Sequence, residues 1–308
     1  MRRSAWRGAL YLSLAASIWG GMFVVVRVAV EVIPPVPLVW LRYLTAIFAI
    51  FAFGVWRRVS WRIRTRDWRT LFLIGLTGQT LSIVTQETGT MLTSAQMGSI
   101  ITAATPAFMV IFARLLLREA LTPGRILSVA LATAGVLCIV AGPGNVELGS
   151  FVGALSLVVA ALTWALMSVL LKKIPHYSPV TVTFYGVLTA LLLLAPPSLW
   201  WLKGADWEAL TALPIVLAVL YLGVVSTFGG FCLWDMGVRE MDAAVSGLFF
   251  FFQPVVGTLL GWLLLGEPVT KWFFIGSALV AAGVLLAMKS EVGRTKKRNE
   301  AYGGARCL

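Results

Sequence analysis

The sequence predicts an all-α integral membrane protein with ten transmembrane helices, arranged as two inverted five-helix repeats with both the N and C termini cytoplasmic. Three observations predict this fold: an apolar composition, regularly spaced apolar segments and a one-sided distribution of positive charge. Of the 308 residues, 59% are hydrophobic and 12% are charged, and the mean hydropathy is +0.89. Soluble domains are about 45–50% apolar and about 25% charged, so this composition excludes a water-soluble fold.

Ten segments are long and apolar enough to cross a bilayer, which requires about 20 residues. They cover residues 8–30, 36–56, 70–89, 93–117, 124–141, 149–172, 178–202, 210–236, 241–265 and 271–289. Proline and glycine cluster at the joints between the segments, which is typical of turns. The chain is therefore divided into a cytoplasmic N-terminal tail at 1–7, a first five-helix repeat at 8–141, a second, inverted repeat at 149–290, and a basic cytoplasmic tail at 291–308.

The positive charges predict which loops face the cytoplasm. With the N terminus inside, Lys and Arg gather in the loops of that side and in the two tails. Of the 25 such residues, 21 are assigned to the cytoplasmic side, including those at the ends of spans that flank its loops. Lys203 and Lys271 are assigned to outside loops, and Arg27 and Arg42 to the spans themselves. This is the excess that cytoplasmic loops carry, and a miscounted span would disturb it. The bilayer therefore explains the net charge of +12 better than a nucleic-acid partner does.

The two halves of the chain resemble each other at an offset of 148 residues. Residues 115–122 (LLLREALT) align with 263–270 (LLLGEPVT), and Pro106 aligns with Pro254. Near the start of each half the offset is 145, which aligns Trp19 with Trp164. Leucine matches are common by chance in membrane helices, whereas matches of Pro, Trp and Glu are rare. Because each half has an odd number of helices, the halves insert in opposite senses, as in many secondary transporters.

The LLLxE ends of the fourth and ninth segments, in a five-plus-five chain of this length, resemble the EamA-type family of the drug/metabolite transporter superfamily. Within it, the chain is most similar to the aromatic amino-acid exporters. The resemblance covers nearly the whole chain and implies a multi-pass protein of the bacterial inner (plasma) membrane. It further implies export of amino acids by alternating access. Small multidrug members carry an acidic residue in their first helix; residues 10–26 hold none, which disfavours proton-driven export of a cationic drug.

The candidate substrate-binding residues are aromatic or neutral and polar, because charges are costly at mid-bilayer. Trp19 and Trp164 lie mid-helix at equivalent positions, and we expect them to form two walls of a central cavity that stacks on an apolar or aromatic side chain. Interhelical or lipid-facing packing is the alternative role for residues of these types. The predicted set is Trp19, Gln79, Ser82, Gln86, Thr102, Trp164, Phe231, Phe249, Phe250 and Gln253.

Pro106 and Pro254 are predicted hinges at mid-span in the fourth and ninth helices. Proline removes one amide donor and disrupts the bond to the carbonyl four residues back. The carbonyls of Thr102 and Phe250 are therefore expected to be partly free for a ligand. Matched interruptions in two halves indicate a transporter site, and ordinary kinks that curve the bundle are the alternative.

The ionisable residues of the spans have two open interpretations. Glu87 and Asp235 are equivalent in the repeat and lie near helix ends, where they act either as interfacial caps or pairs, or as gate or proton sites. Arg27 and Arg42 are expected to extend to the lipid headgroups, with binding of a carboxylate as the alternative. His176 lies in a loop and is expected to be solvated.

No metal, cofactor or catalytic residue is predicted. The three cysteines match no zinc or redox spacing, and the chain has no P-loop, nucleophile elbow or HExxH motif. The sequence thus favours a secondary transporter that works as a monomer in the lipid bilayer on amino acids with large neutral side chains. The alternatives are another neutral metabolite or drug-like solute, a membrane enzyme, or an assembly protein. Uniport and proton-coupled exchange both stay open.

Overall fold

The computed structural model describes residues 2–118, 123–140, 148–240, 246–267, 269, 271–279, 281–283 and 285–286. Within these ranges the regular structure is helical, and no strand occurs. Three predicted features lie outside the described residues: the basic tail at 291–308, residues 241–245 of the ninth predicted span, and Glu119 of the first LLLxE motif.

The helices of the first half follow the predicted spans closely. They are α1 (Arg2–Ala29), α2 (Pro35–Trp56), α3 (Trp68–Ile74, Gly75–Ser82 and Ile83–Leu92), α4 (Ala95–Thr102 and Thr105–Leu117) and α5 (Pro123–Val140). α1 begins at Arg2 rather than at residue 8. α2 starts with prolines, which are tolerated in a first turn because its N–H groups lack helical partners. At the start of α4 the Ser94 side chain accepts a bond from the Met97 N–H.

The second half repeats this order. It contains α6 (Leu148–Leu171), α7 (Pro179–Leu202), α8 (Leu213–Leu220, Tyr221–Gly229 and Gly230–Glu240), α9 (Leu248–Phe251 and Phe252–Leu265) and α10 (271–279). A short helix at Trp207–Thr211 precedes α8. The side chain of Ser178 caps α7 by accepting from the Thr181 N–H.

Among the described residues, six helices are long and apolar enough to cross a membrane. They are Trp6–Ala29, Pro35–Trp56, Ala95–Leu117, Phe151–Leu171, Pro179–Leu202 and Leu213–Glu240. Phe252–Leu265 is a shorter apolar helix. The features of a multi-span helical membrane protein are thus confirmed, whereas the count of ten spans and the cytoplasmic position of the termini stay predictions.

α3 and α8 each contain a widened turn at equivalent positions. Residues Gly75–Ser82 of α3 and Tyr221–Gly229 of α8 form π-helix, in which the backbone bonds skip one residue further than in an α-helix. π-helical turns are rare and occur frequently at functional sites. They rotate the residues that follow them, and so decide which side chains of α3 and α8 face the bundle interior.

The helices are interrupted close to Pro106 and Pro254, and the role of these prolines as hinges stays a prediction. Neither proline kinks a continuous helix: α4 is interrupted at residues 103–104 and restarts at Thr105. In the second half, residues 246–247 are helical, a 3₁₀ turn follows at Leu248–Phe251, and the α-helix restarts at Phe252. Each proline therefore occupies the first turn of a new helical segment, where its missing N–H costs little. The carbonyl of Thr102 is not free, because the Thr105 hydroxyl donates to it at 2.6 Å.

Helices at equivalent positions in the two halves make equivalent contacts with the opposite half. α1 packs on α8 and α9, and α6 packs correspondingly on α3 and α4, while α2 lies against α7. A Cβ at Gly89 of α3 would lie 2.5 Å from the Cγ of Leu157 in α6, and a Cβ at Gly237 of α8 would lie 2.5 Å from the Cγ of Leu12 in α1. These glycines are required because only a hydrogen in place of Cβ allows such close approach.

The LLLxE motif has a structural role at its second copy. Both carboxylate oxygens of Glu267 accept backbone N–H groups at the start of α4, from Ala95 at 2.8 Å and Gln96 at 3.0 Å. The Gln96 side chain donates in return to the Glu267 carbonyl at 3.1 Å. A carboxylate satisfies the free N–H groups of a helix start and complements its dipole. Glu267 thus joins the end of α9 to α4.

We expect Glu267→Ala to destabilise the protein by about 0.5–2 kcal/mol, the usual cost of losing a helix cap. The measurement is the apparent melting temperature in detergent. Glu208→Ala is the matched control, because that carboxylate is exposed on the short helix before α8. Equal melting temperatures for the two variants would show that the Glu267 contacts contribute nothing.

Candidate substrate-binding site

A narrow cavity lies where α1, α3, α4, α6, α8 and α9 meet. Its volume is about 20 Å³, which holds one water molecule and is too small for an amino acid. We call it the central cavity. Its lining consists of Trp19, Met22, Ser82, Ile83, Gln86, Thr102, Thr105, Ala160, Ala161, Trp164, Phe231, Phe250 and Gln253. In this conformation a larger solute enters only when the lining moves apart.

The aromatic part of the lining is a continuous cluster centred on Trp19. Its ring lies 5.3 Å from Trp164, edge to face at 81°, and 6.0 Å from Phe250, nearly parallel at 26°. Phe231 lies 5.2 Å from Trp164. The two tryptophans were expected as separate walls, but they touch each other. The indole N–H of Trp19 donates to the carbonyl of Ser226 at 3.0 Å, which fixes that ring to the π-turn of α8.

A second cavity, also of about 20 Å³, lies behind Trp164 and Phe231. Gln79, Trp234 and Asp235 contribute to its lining. Trp164 and Phe231 line both cavities, so their rings separate the two spaces. An opening between the cavities requires these two side chains to move.

The structure brings together most of the predicted binding residues. Those that line the central cavity are Trp19, Ser82, Gln86, Thr102, Trp164, Phe231, Phe250 and Gln253. Gln79 lines the second cavity instead, and Phe249 lies half-buried against Phe252, with 6.4 Å between ring centroids. Besides Ile83, Ala160 and Ala161, sequence reasoning missed Met22 and Thr105. Both lie three residues after a predicted member, so helical spacing could have found them.

Several polar atoms in the two linings lack a partner among the described residues. They are Gln86 Nε2 and Trp164 Nε1 in the central cavity, and Gln79 Oε1 and Trp234 Nε1 in the second. Buried polar atoms are almost always hydrogen-bonded. Unsatisfied donors and acceptors that line a cavity indicate a place for water or for a polar solute.

A buried ion pair lies beside the central cavity. Arg42 of α2 and Glu87 of α3 are fully buried, with 2.7 Å between Nη1 and Oε1. The other guanidinium nitrogens donate to the hydroxyls of Thr227 at 3.1 Å and Ser226 at 3.2 Å, and Nη2 lies 3.5 Å from the sulfur of Met22. The expectation that Arg42 extends to headgroups is wrong, because its position on α2 faces α3 and α8. The interior is therefore not free of charge.

Asp235 has a partner on its own helix. Its carboxylate accepts two bonds from Arg239, both at 3.0 Å. Arg239 also donates to the carbonyls of Pro175 at 3.0 Å and Tyr177 at 2.6 Å. Asp235 is therefore part of a connection between α8 and the loop from α6 to α7. Arg27 donates to the Met91 carbonyl at 3.0 Å and is half-buried.

The same loop is bound to the start of α3 through Asp67. Its Oδ2 accepts from the Tyr177 hydroxyl at 2.8 Å and lies 3.0 Å from Nε2 of His176. His176 is thus paired rather than simply solvated. The hydrogen bond from Tyr177, followed by that from His176 and the charge of Arg66, holds the pKa of Asp67 below its ordinary value.

We expect the contribution of Asp67 to stability to depend on pH. Because its pKa is lowered in the folded protein, that contribution is present above the unfolded-state value of about 3.9 and is lost as pH falls through the folded-state pKa. Asp67→Asn should therefore melt below the wild type at pH 7, and the difference should shrink as the pH falls below about 3.9 and through the lowered folded-state pKa. Melting curves by circular dichroism test this, with the exposed Glu31→Gln as control. A difference that is constant with pH would contradict it.

Together these features define a class: a bundle of membrane-spanning helices around a narrow, aromatic and polar cavity, typical of proteins that move small solutes. The sequence model of the EamA-like transporter family matches residues 6–141 and 151–289, so the chain belongs to that family. The family thus agrees with the sequence prediction and points to a transporter rather than an enzyme. The finer likeness to aromatic amino-acid exporters stays a prediction.

Individual relatives include proteins that are named as permeases or efflux pumps. The permease-like protein YdzE of Bacillus subtilis is 53% identical over 77 residues, which are 25% of this chain and 99% of that protein. A Salmonella typhimurium protein bearing the name "Probable amino-acid metabolite efflux pump" is 26% identical over 287 residues, or 89% of this chain and 92% of its own. A solved crystal structure superposes with a TM-score of 0.70 at 22% identity, over 91% of this chain and 96% of the other. It shares the fold.

Proposed function

We propose that the protein exports amino acids with aromatic or other large neutral side chains across the bacterial inner membrane by alternating access. The observation that carries this proposal is the central cavity. It combines a cluster of indole and phenyl rings with amide and hydroxyl groups from Ser82, Gln86, Thr102 and Gln253. Rings of this kind stack on an aromatic solute, and the polar groups provide hydrogen bonds to the polar end of the same solute.

Two further observations support the mechanism. Two inverted repeats at 8–141 and 149–290 are expected to show matching structure. The equivalent contacts that each half makes with the other, and the equivalent π-turns in α3 and α8, fit this expectation. The cavity is lined by residues of both halves, which is where such transporters place their substrate site. The name of the Salmonella relative supports amino acids as the substrate class. A single chain contains both halves, so we propose a functional monomer.

Counterflow in liposomes tests this proposal. Purified protein is reconstituted with unlabelled phenylalanine inside, and labelled phenylalanine is added outside. We expect transient accumulation of label above that in protein-free liposomes. Failure with phenylalanine, methionine and threonine would contradict the amino-acid assignment. Accumulation with a member of a sugar panel instead would favour another neutral metabolite.

A further inference from the structure

We propose that Arg42 and Glu87 form the binding site for the charged end of a zwitterionic amino acid, with Arg42 binding its carboxylate and Glu87 its ammonium. This inference rests on the proposed function and assigns the charged end of the substrate to residues outside the predicted set. It develops the alternative role of Arg42, the binding of a carboxylate, and adds Glu87 as its counterpart.

The first argument is the incomplete pairing of the two charges. Both side chains are fully buried, yet they share a single bond, from Arg42 Nη1 to Glu87 Oε1. Glu87 Oε2 has no partner among the described residues. A buried charge requires paired and hydrogen-bonded surroundings, and ionisable groups inside a membrane protein mark functional sites. The free oxygen provides an acceptor that a ligand N–H can satisfy.

The second argument is the position of the pair beside the central cavity. Met22 lines that cavity, and its sulfur lies 3.5 Å from Arg42 Nη2 and 2.9 Å from the Ser226 hydroxyl. Gln86, the neighbour of Glu87 in the chain, also lines the cavity. Met22 thus lies between the pair and the cavity. Methionine is unbranched and adapts its shape readily, so a change of its rotamer brings the pair into the cavity wall.

The third argument is chemical complementarity. A zwitterionic amino acid presents a carboxylate and an ammonium on one carbon, and the pair presents the opposite charges on two adjacent side chains. A guanidinium suits a carboxylate because its planar N–H groups match the two oxygens. The aromatic cluster next to Met22 then receives the side chain of the same molecule. A solute with only one of the two charges leaves a buried charge unpaired, which the site disfavours.

Competition on the wild-type protein tests this inference without any substitution. Labelled phenylalanine counterflow is measured with three competitors: phenylalanine, 2-phenylethylamine, which lacks the carboxylate, and 3-phenylpropanoate, which lacks the ammonium. We expect each analogue to need at least about a tenfold higher concentration than phenylalanine for half-inhibition. Equal inhibition by all three compounds would overturn the inference. Absence of counterflow with every amino acid would overturn the proposed function and the inference with it.

Substitutions then assign the discrimination to the pair. The variant Arg42→Gln with Glu87→Gln removes both charges together, and we expect it to lose discrimination among the three compounds. Arg27→Gln is the matched control, since Arg27 is likewise an arginine within a predicted span, in α1, but bonds to the Met91 carbonyl away from the cavity. Ligand binding is followed in detergent by tryptophan fluorescence, because Trp19 and Trp164 line the cavity. A double variant that elutes as a single species and discriminates like the wild type would overturn the inference while leaving the proposed function intact.

Discussion

Replacing Trp164 with alanine is expected to slow phenylalanine counterflow roughly thirtyfold. Trp164 lies edge to face against Trp19 and separates the central cavity from the second cavity. Full burial of an aromatic side chain is worth about 1.5–3 kcal/mol. Losing about 2 kcal/mol of contact with the substrate ring corresponds to the stated factor.

The substitution also leaves a space in the core, so loss of folding must be distinguished from loss of binding. Large-to-small core changes of this kind cost about 3–5 kcal/mol. Trp164→Phe retains a ring and removes the unpartnered indole N–H, and we expect it to keep most of the transport rate. Trp200→Ala is the matched control, since this tryptophan is 75% exposed at the end of α7. A Trp164→Ala variant that transports like Trp200→Ala would exclude an aromatic site at this position.

The helices and the central tryptophans could be predicted because their signals are local or repeat along the chain. Apolar runs of about 20 residues indicate helices directly, and the offset between the halves aligns Trp19 with Trp164 at equivalent depths. Two residues at equivalent depth on the first helix of each half meet if both face the axis. Ser82 and Gln86 were predicted from polar residues at helical spacing on the third span, and Gln253 from its place beside Pro254; all three line the central cavity.

The buried ion pair could not be predicted because it depends on the rotation of two separate helices. Arg42 and Glu87 are 45 residues apart in the chain. Arg42 lies near the start of α2, where a long side chain either extends to the surface or turns inward. The sequence does not distinguish these directions, because α2 has apolar residues on every side. The hydrogen bonds that Arg42 donates to Ser226 and Thr227 of α8 hold its side chain in the inward direction.

The π-turns could not be predicted from the sequence either, because they also depend on how the helices pack. A π-turn shifts the backbone bonds by one residue, and the change is favoured by packing rather than by the local residues. Gly75 begins the turn in α3, and its Cβ would lie 2.6 Å from the Cβ of Thr189 in α7. The close approach of α7 is visible only once the helices are assembled. Gln79, which lies within this turn, consequently faces the second cavity rather than the central one.

Removing one member of the Arg42–Glu87 pair is expected to destabilise the protein more than removing both. Truncating one partner of a buried pair leaves an uncompensated charge and costs about 3–5 kcal/mol, whereas apolar replacement of both partners is often neutral. Glu87→Leu alone should therefore lower the apparent melting temperature strongly, and Glu87→Leu with Arg42→Met should recover most of the loss. The bonds that Ser226 and Thr227 accept from Arg42 are lost in the double variant, so the recovery is expected to be incomplete.

A double-mutant cycle in detergent measures this coupling, with Arg42→Met, Glu87→Leu and their combination compared at one detergent concentration. The coupling is expected because the two charges lie 2.7 Å apart in surroundings without access to water. Additive losses in the two single variants would mean that water or lipid compensates each charge separately. Such a result would place the pair in contact with solvent, and would remove the physical reason for its retention beside the cavity. A strong coupling would instead show that, in the protein without ligand, each charge depends on the other for its stabilisation.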